Sequence, residues 1–278
     1  MTKNFFFSML YNRQRFLLGV IEQLNKANKQ SKIYLMKTLF LLKQEGYKLD
    51  YDFYPYKLGP FSQTLYWDLD YLKKQELIKN SEKEITIKGK KEVRIDEKII
   101  KRISQITKEF KNKDKLVDYV YDKYPEYTEN SILVPHKKTS YKGKYTIGYE
   151  SKSIDLFMNQ LIQNKITKVF DVRKNAFSMK RGFSKLTLKK ILEGAGIEYE
   201  HVSKLGIESD KRQKLDTKED YEKLFGEYRK TLPNRKNELN YVNNAGKNER
   251  IAIMCFEKDP EYCHRGQISE YVGGFLHL

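Results

Sequence analysis

From residue 145 onward, short apolar runs alternate with segments in which apolar residues recur at helical spacing. The strand-like runs cover residues 145–147, 168–172, 197–202 and 251–255. A strand that is followed by a helix and then by another strand usually pairs with it in parallel, and such sheets are covered on both faces. The alternation therefore predicts an α/β fold with a mainly parallel sheet and helices on both faces.

The first 124 residues have a different pattern, in which helices precede a basic hairpin. Apolar residues at helical spacing begin at Phe16, a second apolar helix covers 33–42, and Ser62 is suited to cap a third. Two short strands near Ile78 and Ile85 come next. The basic residues that follow them are Lys88, Lys90 and Lys91. This order predicts a mostly helical winged helix-turn-helix domain whose lysines contact DNA.

A break in both patterns separates the two parts of the chain. One further helix ends near residue 124, and the next residues include Pro125, Pro135 and many polar side chains. Such a composition is typical of a linker. We therefore predict a DNA-binding domain at 1–124, a linker at 125–144 and an α/β domain, the candidate catalytic domain, at 145–278.

The net charge is the strongest global indication of a partner. The chain carries a formal charge of +17 at pH 7, and its basic residues are spread over both halves. A basic surface of this kind favours polyanions, nucleic acid first. The alternative is a lysine-rich composition that serves no particular ligand. We expect duplex DNA as the partner and make no prediction of the oligomeric state.

Cysteine usage and hydropathy predict the compartment. The chain has only two cysteines, both in one cluster, whereas structural disulfides are usually more numerous and dispersed. No apolar run approaches the roughly 18 residues that a membrane-spanning helix needs, and the first ten residues lack a leader-like apolar core. We therefore expect a cytoplasmic protein without a membrane partner.

The segment from Cys255 to Arg265 concentrates reactive groups directly after an apolar strand. It holds two thiols, three carboxylates, a histidine and an arginine, and such groups at a strand end usually line a site. Cys263, beside His264 near a helix start, is a candidate nucleophile or redox group. Cys255 is either its partner or an inert core thiol. The Cys-x7-Cys-His spacing matches no common zinc signature, so we predict neither a metal nor a cofactor.

Ionisable residues lie near or just beyond the carboxyl end of every predicted strand of the α/β domain. They are Glu150, Asp171, His201 and Glu257. Because ligands of open α/β sheets bind beyond the carboxyl ends of the strands, these four are the candidate catalytic residues. Carboxylates in such a site act as general bases or stabilise a cationic transition state. The alternatives are a structural ion pair between Asp171 and Arg173, and a surface position for Glu257.

Basic and aromatic residues near the same strand ends form a candidate nucleic-acid interface. The basic members are Arg173, Lys180, Arg181 and Arg265, which would bind phosphate together with the start of the last helix. Tyr149 and Phe183 would stack a base, including a flipped one. The alternatives are a solvated basic face and aromatic side chains that belong to the core.

Five of these segments together resemble a known family. They are Tyr145-Thr-Ile-Gly-Tyr-Glu150, Asp171-Val-Arg173, the stretch 178–184, His201 with Leu205-Gly206, and Cys255 to Arg265. On them, residues 145–272 resemble the bacterial domain-of-unknown-function family 488, which implies a compact α/β domain with a polar cleft. The segment Tyr56-Lys-Leu-Gly-Pro-Phe-Ser62 resembles winged-helix regions of prokaryotic regulators and defence proteins.

The combined expectation is an enzyme that acts on a nucleotide in DNA. Excision of a modified or flipped base by cleavage of the N-glycosidic bond, in defence against phage, is the specific prediction. One alternative is a transcriptional regulator whose α/β domain senses a ligand or the redox state of its thiols. Another is a nuclease that binds Mg²⁺ through Glu150, Asp171 and Glu257.

Overall fold

A computed structural model describes residues 10–89, 93–135, 141–212 and 215–278. The chain forms two compact units, Met1–Pro135 and His136–Leu278. No helix among the described residues has the length and apolar character needed to cross a bilayer.

Helices and two small hairpins make up the N-terminal unit. Its helices are α1 (Asn12–Lys26), α2 (Lys32–Gln44), α3 (Gln63–Lys74), α4 (Glu97–Glu109) and α5 (Lys113–Lys123). Its strands are β1 (Tyr54–Tyr56), β2 (Gly59–Phe61), β3 (Ile78–Asn80) and β4 (Ile85–Ile87). Strand β1 pairs antiparallel with β2, and β3 pairs antiparallel with β4. The winged-helix assignment of this unit stays a prediction.

Local signals place most elements of this unit. The Ser62 side chain accepts a hydrogen bond from the backbone N–H of Leu65 and so caps α3, as predicted. The prediction of a single helix that ends near residue 124 is wrong, because the structure has two helices there, α4 and α5. The chain turns at Phe110, and the Asn112 side chain caps α5 by accepting from the N–H of Lys115.

The N-terminal unit continues past the predicted domain boundary. A 3₁₀ turn covers Pro125–Thr128, and the N–H of Ile132 donates to the Lys57 carbonyl at 2.9 Å. The Tyr121 hydroxyl lies 2.8 Å from the Ser131 hydroxyl. Residues that the sequence assigns to a linker therefore contact this unit.

A five-stranded sheet forms the centre of the C-terminal unit. Its strands are β5 (Gly143–Gly148), β6 (Lys168–Asp171), β7 (Glu198–His201), β8 (Arg250–Cys255) and β9 (Phe275–His277). Its helices are α6 (Ile154–Gln163), α7 (Lys185–Gly194), α8 (Lys218–Thr231), α9 (Lys236–Asn248) and α10 (His264–Val272). The strand order is β7-β6-β8-β5-β9, and all four pairings are parallel. The predicted α/β class with a parallel sheet is confirmed.

The central strand β8 is buried on both faces. Its residues Ile251, Ile253 and Cys255 join one hydrophobic cluster with residues of α8, α9 and α10. Because side chains alternate along a strand, Ala252 and Met254 face the opposite side, where they are also buried. Such two-sided burial explains why β8 reads as a continuous apolar run.

Two elements of this unit have weak sequence signals. Helix α9 is rich in asparagine and buries only Leu239, Val242 and Gly246, so its apolar stripe is narrow. Strand β9 has three residues at the sheet edge, where it pairs only with β5. Helix α8, by contrast, starts with a clear local signal, a capping box in which Thr217 and Asp220 exchange hydrogen bonds between side chain and backbone.

Candidate functional site

The parallel sheet brings the predicted catalytic residues to one edge. In the β6–β7 and β6–β8 pairings, Asp171 lies opposite His201 and Met254. Gly148, the last residue of β5, lies opposite Cys255. The expected convergence at the carboxyl ends of the strands is therefore present. The side chains at this edge differ in their surroundings, because some are buried in the domain and others line a pocket or face solvent.

Asp171 forms a buried ion pair. Arg173 donates from Nε to its Oδ1 at 2.8 Å and from Nη2 to its Oδ2 at 2.6 Å, and the Tyr199 hydroxyl donates to the same Oδ2 at 2.6 Å. The side chain of Asp171 has no solvent exposure. Burial alone would lower the pKa of Arg173, but the hydrogen bonds and charge of Asp171 raise it. This geometry favours the structural alternative over a catalytic role for Asp171.

The aromatic side chains expected to stack a base lie in the core. The rings of Tyr149 and Phe183 stack on each other with centroids 4.2 Å apart and an interplanar angle of 8°. Both side chains are buried. The Tyr149 hydroxyl accepts a hydrogen bond from Arg173 Nη1 at 2.7 Å, and Arg173 Nη2 donates to the Phe183 carbonyl at 2.9 Å. The prediction that Tyr149, Phe183 and Arg173 contact nucleic acid is wrong, because their contacting groups are used inside the domain.

Arg265 also has an internal role. It is buried, and it donates through Nη1 to the Glu257 carbonyl at 2.5 Å and through Nη2 to the Lys258 carbonyl at 2.9 Å. Lys180 is half-buried and donates to the Tyr149 carbonyl at 2.8 Å. Of the four residues predicted to form an anion-binding wall, only Arg181 is exposed. The arginine at 265 supports the loop after β8 and is not free to bind phosphate.

Lys152 was not predicted, although it lies close to this group of cations. Its Nζ donates to the Gly148 carbonyl at 2.9 Å, and the side chain is buried. The pKa of Lys152 is lowered to about 8, first by burial and then by the charges of Arg265, Lys258 and Lys180. No sequence signal indicated Lys152, because the residue precedes α6 and is not part of an apolar helical stripe.

Glu150 and His201 have local partners. Glu150 is exposed and accepts a hydrogen bond from the N–H of Lys258 at 2.8 Å. His201 is half-buried, and its Nε2 donates to the Arg173 carbonyl at 2.8 Å. Neither side chain lines the pocket described next.

The predicted lysines of the N-terminal unit are described in part. Lys88 is half-buried after β4, and its N–H donates to the Leu77 carbonyl at 3.0 Å. Lys90 and Lys91 lie outside the described residues. The DNA contact of these three lysines stays a prediction.

A pocket of about 390 Å³ lies beside the end of β8. Its lining residues are Ile207, Arg212, Leu215, Tyr221, Leu224, Phe225, Glu257, Tyr262 and His264. Of the predicted site residues, Glu257 and His264 belong to it. Arg212, Tyr221 and Tyr262 were missed; only Tyr262 had a usable signal, its place in the reactive Cys255–Arg265 segment.

Glu257 is the carboxylate of this pocket. Its side chain is 23% exposed to solvent, and its Oε1 lies 3.7 Å from Arg212 Nη1. Its Oε2 accepts a hydrogen bond from the Cys255 thiol at 3.3 Å. Burial acts to raise the pKa of Glu257, but hydrogen bonds from the Cys263 and Cys255 thiols and the charge of His264 outweigh it, so the pKa is lowered.

Two thiols and the imidazole of the lining residue His264 form a cluster at this end of the pocket. Both cysteines are free and buried, and the ligand atoms of Cys255, Cys263 and His264 all lie within 4.8 Å of one another. The pKa of the Cys263 thiol is raised well above its ordinary value, first by burial and then by its hydrogen bond with Cys255. Both effects disfavour the thiolate, which is the form in which Cys263 would act as a nucleophile.

His264 has a fixed orientation in this cluster. Its Nε2 lies 2.9 Å from the Val172 carbonyl; since a carbonyl only accepts, Nε2 carries the proton. Its Nδ1 lies 3.7 Å from Cys255 Sγ. Burial acts to lower the pKa of His264, but its hydrogen bonds with Cys263 and the Val172 carbonyl raise it.

Two glycines allow the loops of the site to approach so closely. A Cβ on Gly148 would lie 1.8 Å from the Glu257 carbonyl oxygen, and a Cβ on Gly266 would lie 2.1 Å from the Pro260 carbonyl oxygen. No larger residue fits either position without a shift of backbone. The path of the chain from Glu257 to α10 therefore depends on these two contacts.

One comparison with known proteins found a match, and it lies in the C-terminal unit. Residues 153–272 match the family "Domain of unknown function DUF488". The match runs from the cap of α6 to the end of α10, so it includes the pocket and the cysteine cluster. The resemblance expected for this part of the chain is confirmed. Neither the curated proteins nor the solved structures contain a match to the chain.

Proposed function

We propose that the C-terminal unit is a hydrolase that acts on a nucleotide in DNA, with Glu257 as its catalytic carboxylate. The observation that carries this proposal is the pocket of about 390 Å³ at the carboxyl end of β8, with Glu257 in its wall. Ligands of open α/β sheets bind at this edge. The volume falls within the range of roughly 300–1,000 Å³ that small-molecule sites occupy.

The lining of the pocket suits a nucleotide. Tyr221 and Tyr262 meet edge to face with centroids 5.2 Å apart, and both border the cavity. Aromatic side chains of this kind stack on extruded bases. Arg212 borders the same cavity, and its Nε is buried without a hydrogen bond to the described residues. A phosphate or a base edge would supply an acceptor for that group.

Cleavage of the N-glycosidic bond is the specific reaction that we propose. Water adds to the anomeric carbon, the carbon–nitrogen bond breaks, and its electron pair leaves with the base. The attacking water loses one proton, which ends on the departing base. The sugar becomes oxocarbenium-like in the transition state, and a carboxylate beside it stabilises that charge. We assign to Glu257 the role that the sequence analysis gave to the carboxylates at the strand ends.

The N-terminal unit would hold the duplex. We propose that its helices and the β3–β4 hairpin form a winged helix that contacts phosphates, consistent with the overall charge of +17. Such binding weakens steeply as salt rises. A role in defence against phage belongs to this same proposal.

The experiment compares the full chain with Glu257→Gln and Glu261→Gln on plain and base-modified DNA. Abasic sites are revealed by alkaline strand scission. We expect scission by the wild type, a loss of at least about 100-fold for Glu257→Gln, and little change for Glu261→Gln, whose side chain is exposed on the same loop. Absence of scission on every substrate would reject the proposal, and full activity of Glu257→Gln would reject the role of Glu257.

A redox-sensing regulator is the second candidate. The observation in its favour is the proximity of the Cys255 and Cys263 sulfurs, which lie within 4.8 Å of each other. It predicts binding to one DNA sequence, loss of that binding after mild oxidation, and no turnover. The Mg²⁺-nuclease alternative has less support. Among the described residues, the three carboxylates Glu150, Asp171 and Glu257 do not form a group with metal-ligand spacing.

A further inference from the structure

We infer that Cys255, Cys263 and His264 form a binding site for a zinc ion with an open fourth position. This inference stands on the cluster itself and does not depend on the proposed reaction. The sequence spacing did not match a common zinc signature, but the fold brings the three ligand atoms within 4.8 Å of one another. Two thiols and an imidazole are the donor set that zinc prefers.

The distances agree with tetrahedral coordination. With Zn–S bonds of about 2.3 Å and Zn–N bonds of about 2.0 Å, two such ligands at a tetrahedral angle lie roughly 3.6 Å apart. Cys255 Sγ and His264 Nδ1 lie 3.7 Å apart. That separation suits one ion held by both atoms, and the third ligand atom, Cys263 Sγ, lies within 4.8 Å of each of them.

The histidine is oriented as a ligand. Its Nε2 donates to the Val172 carbonyl at 2.9 Å, which leaves the lone pair of Nδ1 toward the sulfurs. A hydrogen bond from the second ring nitrogen to a carbonyl is the usual support of a metal-binding histidine. A buried neutral imidazole needs one donor at its acceptor nitrogen, and the cluster places two thiols within 4.8 Å of that ligand atom, one more than the hydrogen bond requires.

The ligands belong to two rigid elements. Cys255 ends β8, and Cys263 and His264 stand at the cap and first residue of α10. The contact of Gly266 with the Pro260 carbonyl holds the start of this helix against the turn before it. Sites whose ligands come from such elements keep their geometry without the ion.

Glu257 lies next to this ligand set and outside it. Its Oε2 is 3.3 Å from Cys255 Sγ, but the carboxylate is not among the groups that lie within 4.8 Å of all the others. Three protein ligands with one open position are typical of catalytic zinc. Zinc replaces the two thiol protons, which pass to solvent, and Glu257 is then free to accept a hydrogen bond from a water at the open position. Glu257 and His264 both line the pocket, so we expect the open position to face the cavity.

The test uses the full chain, without an affinity tag, prepared metal-free under reducing conditions. Zinc is titrated in competition with a chromophoric chelator, and cobalt is added separately as a spectroscopic probe. We expect one ion per chain and, with cobalt, the visible bands of a tetrahedral site together with a thiolate charge-transfer band. Because the chain has only two cysteines, that band requires coordination by Cys255 or Cys263.

Matched variants locate the site. Cys263→Ser and His264→Gln should weaken zinc binding by more than the roughly 10–100-fold that loss of a supporting residue costs. His201→Gln should bind like the wild type, since His201 donates to a carbonyl at the same sheet edge and touches neither thiol. Glu257→Gln should keep the stoichiometry, because the glutamate is not a ligand.

Three results would overturn the inference. They are absence of zinc binding by the wild type, binding that survives Cys263→Ser, and loss of stoichiometric binding in Glu257→Gln. The last would mean a closed four-ligand site. If Cys263→Ser fails to fold, the cobalt charge-transfer band of the wild type decides alone, and its absence counts against the inference. These readouts involve no DNA, so they stand apart from the failure or success of the proposed glycosidic cleavage.

Discussion

Replacement of Asp171 by asparagine tests whether this residue supports the fold or the chemistry. The side chains of Asp171 and Arg173 retain 0% and 5% of their exposure, so both charges lie out of water. Asparagine has nearly the same shape as aspartate, and the substitution therefore removes the charge without opening a cavity. The guanidinium of Arg173 then remains buried without its counter-ion.

The expected cost follows from the contacts that are lost. Asp171 accepts from Arg173 Nε at 2.8 Å, Arg173 Nη2 at 2.6 Å and the Tyr199 hydroxyl at 2.6 Å. An asparagine amide accepts at one atom only, and its NH₂ group would face a second donor. Removal of one member of a buried ion pair costs about 3–5 kcal/mol. Because domains are stable by only about 5–15 kcal/mol, the free energy of unfolding should fall by about a fifth or more.

The assay is urea unfolding, monitored by hydrogen exchange in peptides from residues 143–278. Tryptophan fluorescence would not report on unfolding of the C-terminal unit, because the one tryptophan, Trp67, lies in the N-terminal unit. Arg173→Met and the double variant complete a cycle, in which we expect a coupling energy on the order of 2–3 kcal/mol. The exposed Glu150→Gln is the control and should change stability by less than about 0.5 kcal/mol. A loss below about 1 kcal/mol for Asp171→Asn, or additive single variants, would refute the reasoning.

Two further predictions concern backbone approach and a buried lysine. Gly148→Ala should destabilise the C-terminal unit by about 1–3 kcal/mol in thermal melts, because its Cβ would lie 1.8 Å from the Glu257 carbonyl oxygen. The control is Gly226→Ala, whose Cβ would have no atom within 4 Å, and it should be neutral or stabilising in the same melts. Burial lowers the pKa of Lys37 from 10.5 to about 7, so between these values the unfolded state binds more protons and the free energy of unfolding rises with pH. Urea midpoints from Trp67 fluorescence at pH 7, 8 and 9 should therefore rise in the wild type, and an equal slope in Lys37→Met would contradict the assignment.

The class of the C-terminal fold was predictable because its signals are local. Period-two and period-3.6 patterns depend only on which face of an element is buried, and a parallel sheet follows from their alternation. Helix starts at Ser62, Ser153 and Thr217 were predictable for the same reason, since a cap involves residues three positions apart. By contrast, α9 was missed because its helical stripe is narrow and polar residues dominate its sequence.

The roles of individual residues at the sheet edge were not predictable in this way. The sequence placed Asp171, Arg173 and Glu257 correctly at strand ends, and the parallel sheet brought those ends together. It could not indicate that Tyr149 and Tyr199 come from other strands to surround the ion pair. Whether an ionisable group at a strand end faces solvent or the interior depends on such distant neighbours.

The sequence by itself determined the α/β class, the parallel sheet and the concentration of reactive groups between Cys255 and Arg265. Only the tertiary structure decided which of these groups meet. Cys255 and His264 are nine positions apart, and their 3.7 Å contact arises because the loop after β8 turns back against Gly148 and α10 starts beside the strand end. The turn is set by packing between segments far apart in sequence, and no local pattern of residue types encodes that packing.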